Sequence, residues 1–130
     1  MKKATPFAIL VLCALSIISA LAQGPFQQAK PTAADQARLT KLEKAYKAAK
    51  AVLAKAPKNA KAKKDFASIG VAYGHESMIS PALAPRVKYP QALRVYGEVL
   101  KVDPNEPTAK KESELIISIY KQMGRPIPKV

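Results

Sequence analysis

Three consecutive residues, His75, Glu76 and Ser77, bring together a base, a carboxylate and a hydroxyl, the side-chain types of a nucleophilic hydrolase. In such a triad the three groups converge from separate parts of the fold, and neighbours on one segment cannot do so. His75 is also the only histidine and Cys13 the only cysteine, so a transition-metal site would depend on a few carboxylates. The sequence therefore predicts a non-catalytic protein without cofactor or metal, in which His75 lies at a helix end.

A second group of side chains, nine lysines between residues 41 and 64, suits the attraction of polyanions. Only one acid, Glu43, lies among them, and the formal charge of the whole chain is +13. Such a surface attracts anionic polysaccharide, lipid surfaces or nucleic acid, and its binding weakens steeply with salt. The same lysines equally suit the solvated face of a packed helix. The candidate polyanion-binding residues are Lys41, Lys44, Lys47, Lys50, Lys55, Lys58 and Lys61.

The first 22 residues have the pattern of a secretory signal peptide. Two lysines near the start precede an apolar run over residues 7–22, which ends in the small-x-small pattern of Ala20 to Ala22. The run is short for a membrane span, which takes about 20 residues, although an uncleaved anchor is the alternative. We expect a secreted or periplasmic chain that begins at Gln23, with no transmembrane segment and no cysteine for a disulfide.

The rest of the sequence predicts a short polar linker, residues 23–31, followed by an all-α domain over residues 32–130. The first helix begins at Thr32, where Asp35 completes a capping box, and ends before Pro57. Its apolar residues recur at steps of three and four, which is typical of one buried helix face. Asn59 caps a second helix with the same periodicity, and no segment alternates as a strand would.

Two further helices are predicted after a long connection. Three prolines within 74–90 argue against helix there, so this apolar segment is either a recognition loop or a loop packed on its own helices. The third helix is expected from Gln91 to Val102. The fourth is expected to begin near Pro107 and to end at Gly124. Its predicted buried face consists of Ile116, Ile119, Tyr120 and Met123.

The second helix carries two glycines, Gly70 and Gly74, and each costs about 1 kcal/mol relative to alanine in a helix interior. Gly70 belongs to an aromatic-x2-aliphatic-Gly-x2-Tyr spacing, and an Ala-x3-aromatic spacing downstream ends in a proline. Together these spacings resemble the tetratricopeptide repeat. The residues that carry the resemblance are Phe66, Ile69, Gly70, Tyr73, Ala92, Tyr96, Val99 and Pro104. The resemblance implies that Gly70 packs against Ala92 where two helices cross, and we expect Gly74 to end its helix.

The resemblance covers residues 35–124 but contains only one complete repeat, and the 47 residues from Pro57 to Pro104 exceed the family's period of about 34. It implies a short solenoid of helix pairs that binds another protein or a peptide on its concave face. Because one repeat buries little surface, we expect self-association or docking on a larger complex. The contact residues that the resemblance implies are Lys64, Ser68, Val71 and Ala72. The alternatives are a cationic envelope protein that binds polyanions through its lysine face and, for the fold, an unrelated four-helix bundle.

Overall fold

A computed structural model describes residues 30–130 and shows four α-helices in that part of the chain, without any strand in it. The helices are α1 (Ala33–Lys55), α2 (Ala60–Ile79), α3 (Pro85–Val102) and α4 (Pro107–Gln122). The predicted all-α fold is confirmed. The predicted signal peptide, residues 1–22, and most of the predicted linker lie outside the described residues.

The helix ends follow from local side-chain chemistry. The backbone N–H of Asp35 donates to the Thr32 hydroxyl at 3.2 Å, and the Thr32 N–H donates to the Asp35 carboxylate at 2.9 Å. The Thr32 hydroxyl also donates to the Asp35 carboxylate at 2.7 Å, and this bond, followed by the one from the Thr32 N–H, holds the pKa of Asp35 below its ordinary value. Asn59 accepts a hydrogen bond from the Ala62 N–H at 3.0 Å and begins α2 in the same way. Gly124, with a φ of 61°, ends α4 in the left-handed conformation that glycine adopts without strain.

The core of the domain lies around α2, which packs against each of the other three helices. At the junction of α1 and α2 the ring of Tyr46 lies 5.4 Å from the ring of Phe66 and 5.3 Å from the ring of Tyr73. Tilted pairs at such distances stabilise a core beyond their buried area. The buried apolar cluster consists of Leu39, Tyr46, Phe66, Ala67, Tyr73, Ala92, Leu93, Val95, Tyr96, Val99, Ala109 and Ile116.

The connection between α2 and α3 is much shorter than the sequence indicated. The predicted loop over 74–90 is wrong, because α2 continues to Ile79 and α3 begins at Pro85, well before the predicted Gln91. Pro85 occupies the first position of α3, where a residue needs no N–H donor. Pro90 lies in the second turn and removes only one intrahelical hydrogen bond. The residues in excess of the repeat period therefore lengthen the two helices.

The two glycines of α2 lie where its backbone approaches α3. A β-carbon on Gly74 would overlap the ring of Tyr96, and one on Gly70 would overlap a methyl group of Val99. The prediction that Gly74 ends its helix is wrong, since the helix continues for more than a turn. The predicted contact of Gly70 with Ala92 is wrong as well, because the antiparallel register of α2 and α3 brings Val99 to this position.

The last helix is covered on one side only. Ile116 is fully buried, and Ile119 and Tyr120 are partly buried, in line with the predicted face of α4. Met123 was expected in this face but is half exposed, which corrects that prediction. Its position in the turn after the last residue of α4 leaves it beyond most of the packed surface.

Candidate functional site

A cleft of about 510 Å³ lies between the first half of α2 and the turn that joins α3 to α4. Three of the four contact residues predicted from the repeat, Lys64, Ser68 and Val71, line this cleft. The fourth, Ala72, is exposed on α2 but does not line it. The complete lining is Ala60, Lys63, Lys64, Ala67, Ser68, Val71, Val102, Asp103 and Glu106.

The wall of the cleft opposite α2 is the α3–α4 turn, which is stabilised by hydrogen bonds to two of its own carboxylates. Asp103 follows the last residue of α3 and accepts a hydrogen bond from the Asn105 N–H at 3.1 Å. Glu106 is the N-cap of α4 and accepts a hydrogen bond from the Ala109 N–H. Both carboxylates are therefore fixed relative to the start of α4, and their negative charge is favourable beside a helix N-terminus.

The cleft has charges of opposite sign on its two sides. Lys63 and Lys64 come from α2, whereas Asp103 and Glu106 come from the α3–α4 turn. The residues between them are small or apolar, and they are Ala60, Ala67, Ser68, Val71 and Val102. Such a surface can accept a small apolar side chain while it binds donor groups on one side and acceptor groups on the other.

The histidine, the glutamate and the serine that suggested a triad point to different neighbours. His75 lies inside α2, which corrects its predicted helix-end position, and its Nδ1 lies 2.8 Å from a Glu112 carboxylate oxygen. Glu76 is buried with an oxygen 3.7 Å from the guanidinium of Arg38. The Ser77 hydroxyl is fully buried and donates to a backbone carbonyl one turn earlier at 2.7 Å. The three groups do not converge.

Glu98, which the sequence did not single out, joins α1 to α3. The Tyr46 hydroxyl donates to its carboxylate at 2.5 Å, and the Lys50 ammonium does so at 2.6 Å. Burial, and then the hydrogen bond with Glu98, raise the pKa of Tyr46 far above its ordinary value. Burial tends to raise the pKa of Glu98 as well, but the hydrogen bonds from Lys50 and Tyr46 bring it below its ordinary value.

Glu112 likewise joins two helices, α3 and α4, and it too was not predicted from the sequence. Its carboxylate accepts a hydrogen bond from the hydroxyl of Tyr96 and contacts His75. Burial, followed by this bond to Glu112, raises the pKa of Tyr96 far above its ordinary value. A signal was present, because Glu112 lies three residues after Ala109 and four before Ile116, in the apolar stripe of α4. A carboxylate in such a stripe predicts a buried partner.

All seven candidate polyanion-binding lysines are exposed, but they fall into two groups. Three of them form ion pairs, Lys47 with Glu43, Lys50 with Glu98 and Lys61 with Asp65. The others form no ion pair with any residue in 30–130, and they are Lys41, Lys44, Lys55 and Lys58. The structure thus divides a lysine-rich segment that looked uniform in the sequence.

Comparison of the chain with protein-family models, with curated proteins and with solved structures gives no match. Within residues 30–130, no group of three histidine, cysteine or acidic side chains is placed to hold a metal ion. No helix in the same part of the chain is both long enough and apolar enough to span a membrane.

Proposed function

We propose that this protein is a non-catalytic scaffold of the tetratricopeptide type that binds an extended segment of another protein. The binding site is the cleft between α2 and the α3–α4 turn. One observation carries the proposal: Lys64, Ser68 and Val71, implied as contacts by the repeat alone, line a single concave site. The close approach of α2 to α3 at Gly70 and Gly74 also suits a repeat in which small residues let two helices cross.

The size and the chemistry of the cleft favour a short stretch of extended chain. Its volume of about 510 Å³ lies in the range of ligand pockets and accepts a few residues, not a folded domain. The opposed charges of Lys64 and Glu106 suit a segment that carries both signs or presents its backbone groups. Because these charges lie near solvent, each contributes at most about 1 kcal/mol, so we expect weak and reversible binding.

A photo-crosslinking experiment tests this proposal. A benzophenone amino acid replaces Ser68 in the cleft or, as the matched control, Ala48, which is exposed on α1. In the cells that make the protein, we expect discrete crosslinked products from position 68 that are missing from position 48. The same products from both positions, or none from position 68, would contradict the proposal.

We further propose that residues 1–22 act as a signal peptide and that the protein is secreted or periplasmic. The support is the order of charged, apolar and small residues in that segment. The intact mass of protein recovered from the secreted or periplasmic fraction checks this, and we expect a chain that begins at Gln23. A protein that retains residues 1–22 and stays in the membrane fraction would contradict it.

The second candidate function is the binding of polyanions by the lysines that have no ion pair. Its support is the exposure of Lys41, Lys44 and Lys55 along α1. Retention on an immobilised anionic polysaccharide checks it, with the three lysines replaced by glutamine and Lys47→Gln as a control at an ion-paired position. Polyanion binding predicts earlier salt elution of the triple variant, in proportion to the charges removed. Unchanged elution would contradict polyanion binding and would mean that these lysines only form a solvated helix face.

A further inference from the structure

The topology brings three parts of the chain to one end of the helix stack. Arg38, in the second turn of α1, faces Glu76 in the last turn of α2, so these two helices run antiparallel. α3 also runs antiparallel to α2, since Gly70 meets Val99 while Gly74 meets Tyr96. The start of α1 and the connection between α2 and α3 therefore lie together.

The end of α4 lies at this same end. Tyr96, in the second half of α3, bonds to Glu112 in the first half of α4, and a short turn joins the two helices. Since α4 thus runs back along α3, its last turn lies near the first turn of α3. We call this the loop end and define it as residues 30–35, 79–88 and 121–125.

The loop end exposes large apolar side chains. Ile79 is 51% exposed, Val87 47% and Met123 50%. The C-terminal tail leaves the domain here and adds Ile127 and Val130, both exposed. A single exposed apolar residue is common on protein surfaces. Several at one end of a domain indicate instead a surface that contacts a membrane or another molecule.

The charge at the loop end is positive. Its exposed cations are Lys30, Arg86, Lys121 and Arg125, whereas Lys88 is buried with its ammonium over the ring of Tyr89. The two acids nearest this end are both engaged, since Asp35 bonds to Thr32 in the cap of α1 and Glu76 is buried beside Arg38. No other acid occurs between Glu76 and Glu98, and Glu98 lies in the last third of α3. Apolar side chains surrounded by cations are complementary to a layer with an anionic surface and an apolar interior.

We propose that the loop end rests on the surface of a membrane that contains anionic lipid. Ile79, Val87 and Met123 enter the boundary between head groups and acyl chains, while Arg86 and Arg125 face the lipid phosphates. The chain also enters the domain at this end, at Lys30, so the apolar run 7–22 would bring a membrane to this surface before any cleavage.

This contact is independent of the cleft. The cleft is lined by the first half of α2 and by residues 102–106, which lie at the opposite end of the stack. A domain that stands on its loop end therefore keeps its cleft turned away from the membrane. The membrane proposal does not require the peptide-binding proposal, and each has its own experiment.

The absence of tryptophan from the chain allows a direct test. Val87→Trp places a single fluorophore at the loop end, and Val52→Trp places the matched control at an exposed valine near the far end of α1. Both are made in the full chain and in the chain that begins at Gln23, because the apolar run 7–22 joins the domain at the loop end and would favour position 87 by its own insertion into lipid. A contrast that disappears in the chain without this run would contradict the proposal. With vesicles of phosphatidylglycerol and phosphatidylcholine, we expect a blue shift and protection from acrylamide at position 87, with neither at position 52. Phosphatidylcholine alone should give little change.

Charge removal measures the electrostatic part of the same contact. In the Val87→Trp chain, Arg86→Gln and Arg125→Gln should each lower the lipid partition coefficient about fivefold, since a basic residue near an anionic surface contributes about 1 kcal/mol. Lys111→Gln, at an exposed position in the first half of α4, serves as the control and should have a smaller effect.

Three further outcomes would overturn the proposal. The first is an unchanged spectrum at position 87, with Ile79→Trp as a second reporter at the same end in case the first variant does not fold. The second is an equal shift at positions 52 and 87, which would mean unspecific adsorption. The third is a shift at position 87 that grows with protein concentration without vesicles, which would mean that a second copy of the chain covers the loop end.

Discussion

The two ends of the helix stack expose different chemistry although the same four helices build both. At the loop end, Ile79 and Val87 are exposed among cations. At the opposite end, which we call the cleft end, Lys64 lies across a concave site from Asp103 and Glu106. The first surface is complementary to an anionic layer, and the second to a short segment of mixed charge. A chain with one dominant charge can thus expose two surfaces of different chemistry.

The middle of the stack keeps the two ends in a fixed relation. There the α2 backbone approaches α3 at Gly70 and Gly74, while Tyr46 and Tyr96 each bond to a glutamate of a neighbouring helix. Variants of this middle region should affect both ends together, whereas surface variants should affect only one.

The largest effect is expected from Gly74→Ala, which tests the close packing of α2 against α3 in the middle of the stack. The new methyl group would overlap the ring of Tyr96, which is fully buried and bonded to Glu112. Overpacking costs about 1–3 kcal/mol, and three ring atoms within 3.0 Å of the new carbon place this site at the upper end of that range. The cost therefore outweighs the gain of about 1 kcal/mol from replacing glycine in a helix. Urea unfolding should show a lower midpoint with a loss of about 2 kcal/mol. A midpoint above that of the wild type would contradict the close approach.

Alkaline pH should loosen the same middle region. Because Tyr46 and Tyr96 have raised pKa values in the folded chain, the native state keeps protons that the unfolded state loses above a pH of about 10. Stability should therefore fall as pH rises beyond 10, by about 1.4 kcal/mol per pH unit for each such tyrosine. The double variant Tyr46→Phe, Tyr96→Phe should lose less between about pH 9.5 and pH 11. Since the lysines titrate in both proteins, equal losses would contradict the assignment to these tyrosines.

Gly97→Ala makes the same chemical change as Gly74→Ala where α3 has space for it. Apart from its chain neighbours and the backbone of its own helix, no atom of the described residues lies within 4 Å of the position that its β-carbon would occupy. Thermal unfolding should show an increase in stability of about 1 kcal/mol, because alanine is the better helix former. A decrease would mean that this part of α3 is more tightly covered than the structure shows.

The smallest effects on stability are expected from substitutions at the two ends. Ser68→Trp at the cleft end and Val87→Ser at the loop end should each change the free energy of unfolding by less than about 0.5 kcal/mol. Ser68→Trp should reduce crosslinking of a partner but leave vesicle binding intact, and Val87→Ser should do the reverse. Loss of both activities in either variant would mean that the two ends do not act separately.

The sequence predicted α1, the start of α2 and α4 because their ends depend on local groups. Thr32, Asn59 and Pro107 are signals that need no knowledge of the rest of the fold. The junction of α2 and α3 could not be predicted in this way. Gly74 looks like a helix end until the ring of Tyr96 is known to lie against it.

For a similar reason, the sequence predicted only one of the two walls of the candidate cleft. Its α2 wall, with Lys64, Ser68 and Val71, followed from the resemblance and from helical periodicity. The other wall, with Asp103 and Glu106, depends on how the α3–α4 turn is placed against α2. That placement is set by long-range packing, for which no short sequence pattern gives a signal.

Binding in the cleft is best tested by the affinity of the crosslinked partner for three forms of the protein. These are the wild type, Ser68→Trp in the cleft, and the chain with Lys41, Lys44 and Lys55 replaced by glutamine. If the cleft is the binding site, Ser68→Trp should weaken binding at least about tenfold, which corresponds to 1.4 kcal/mol, and the lysine variant should stay within about threefold. Unchanged binding by Ser68→Trp together with loss in the lysine variant would contradict the cleft and place the function on the lysine face.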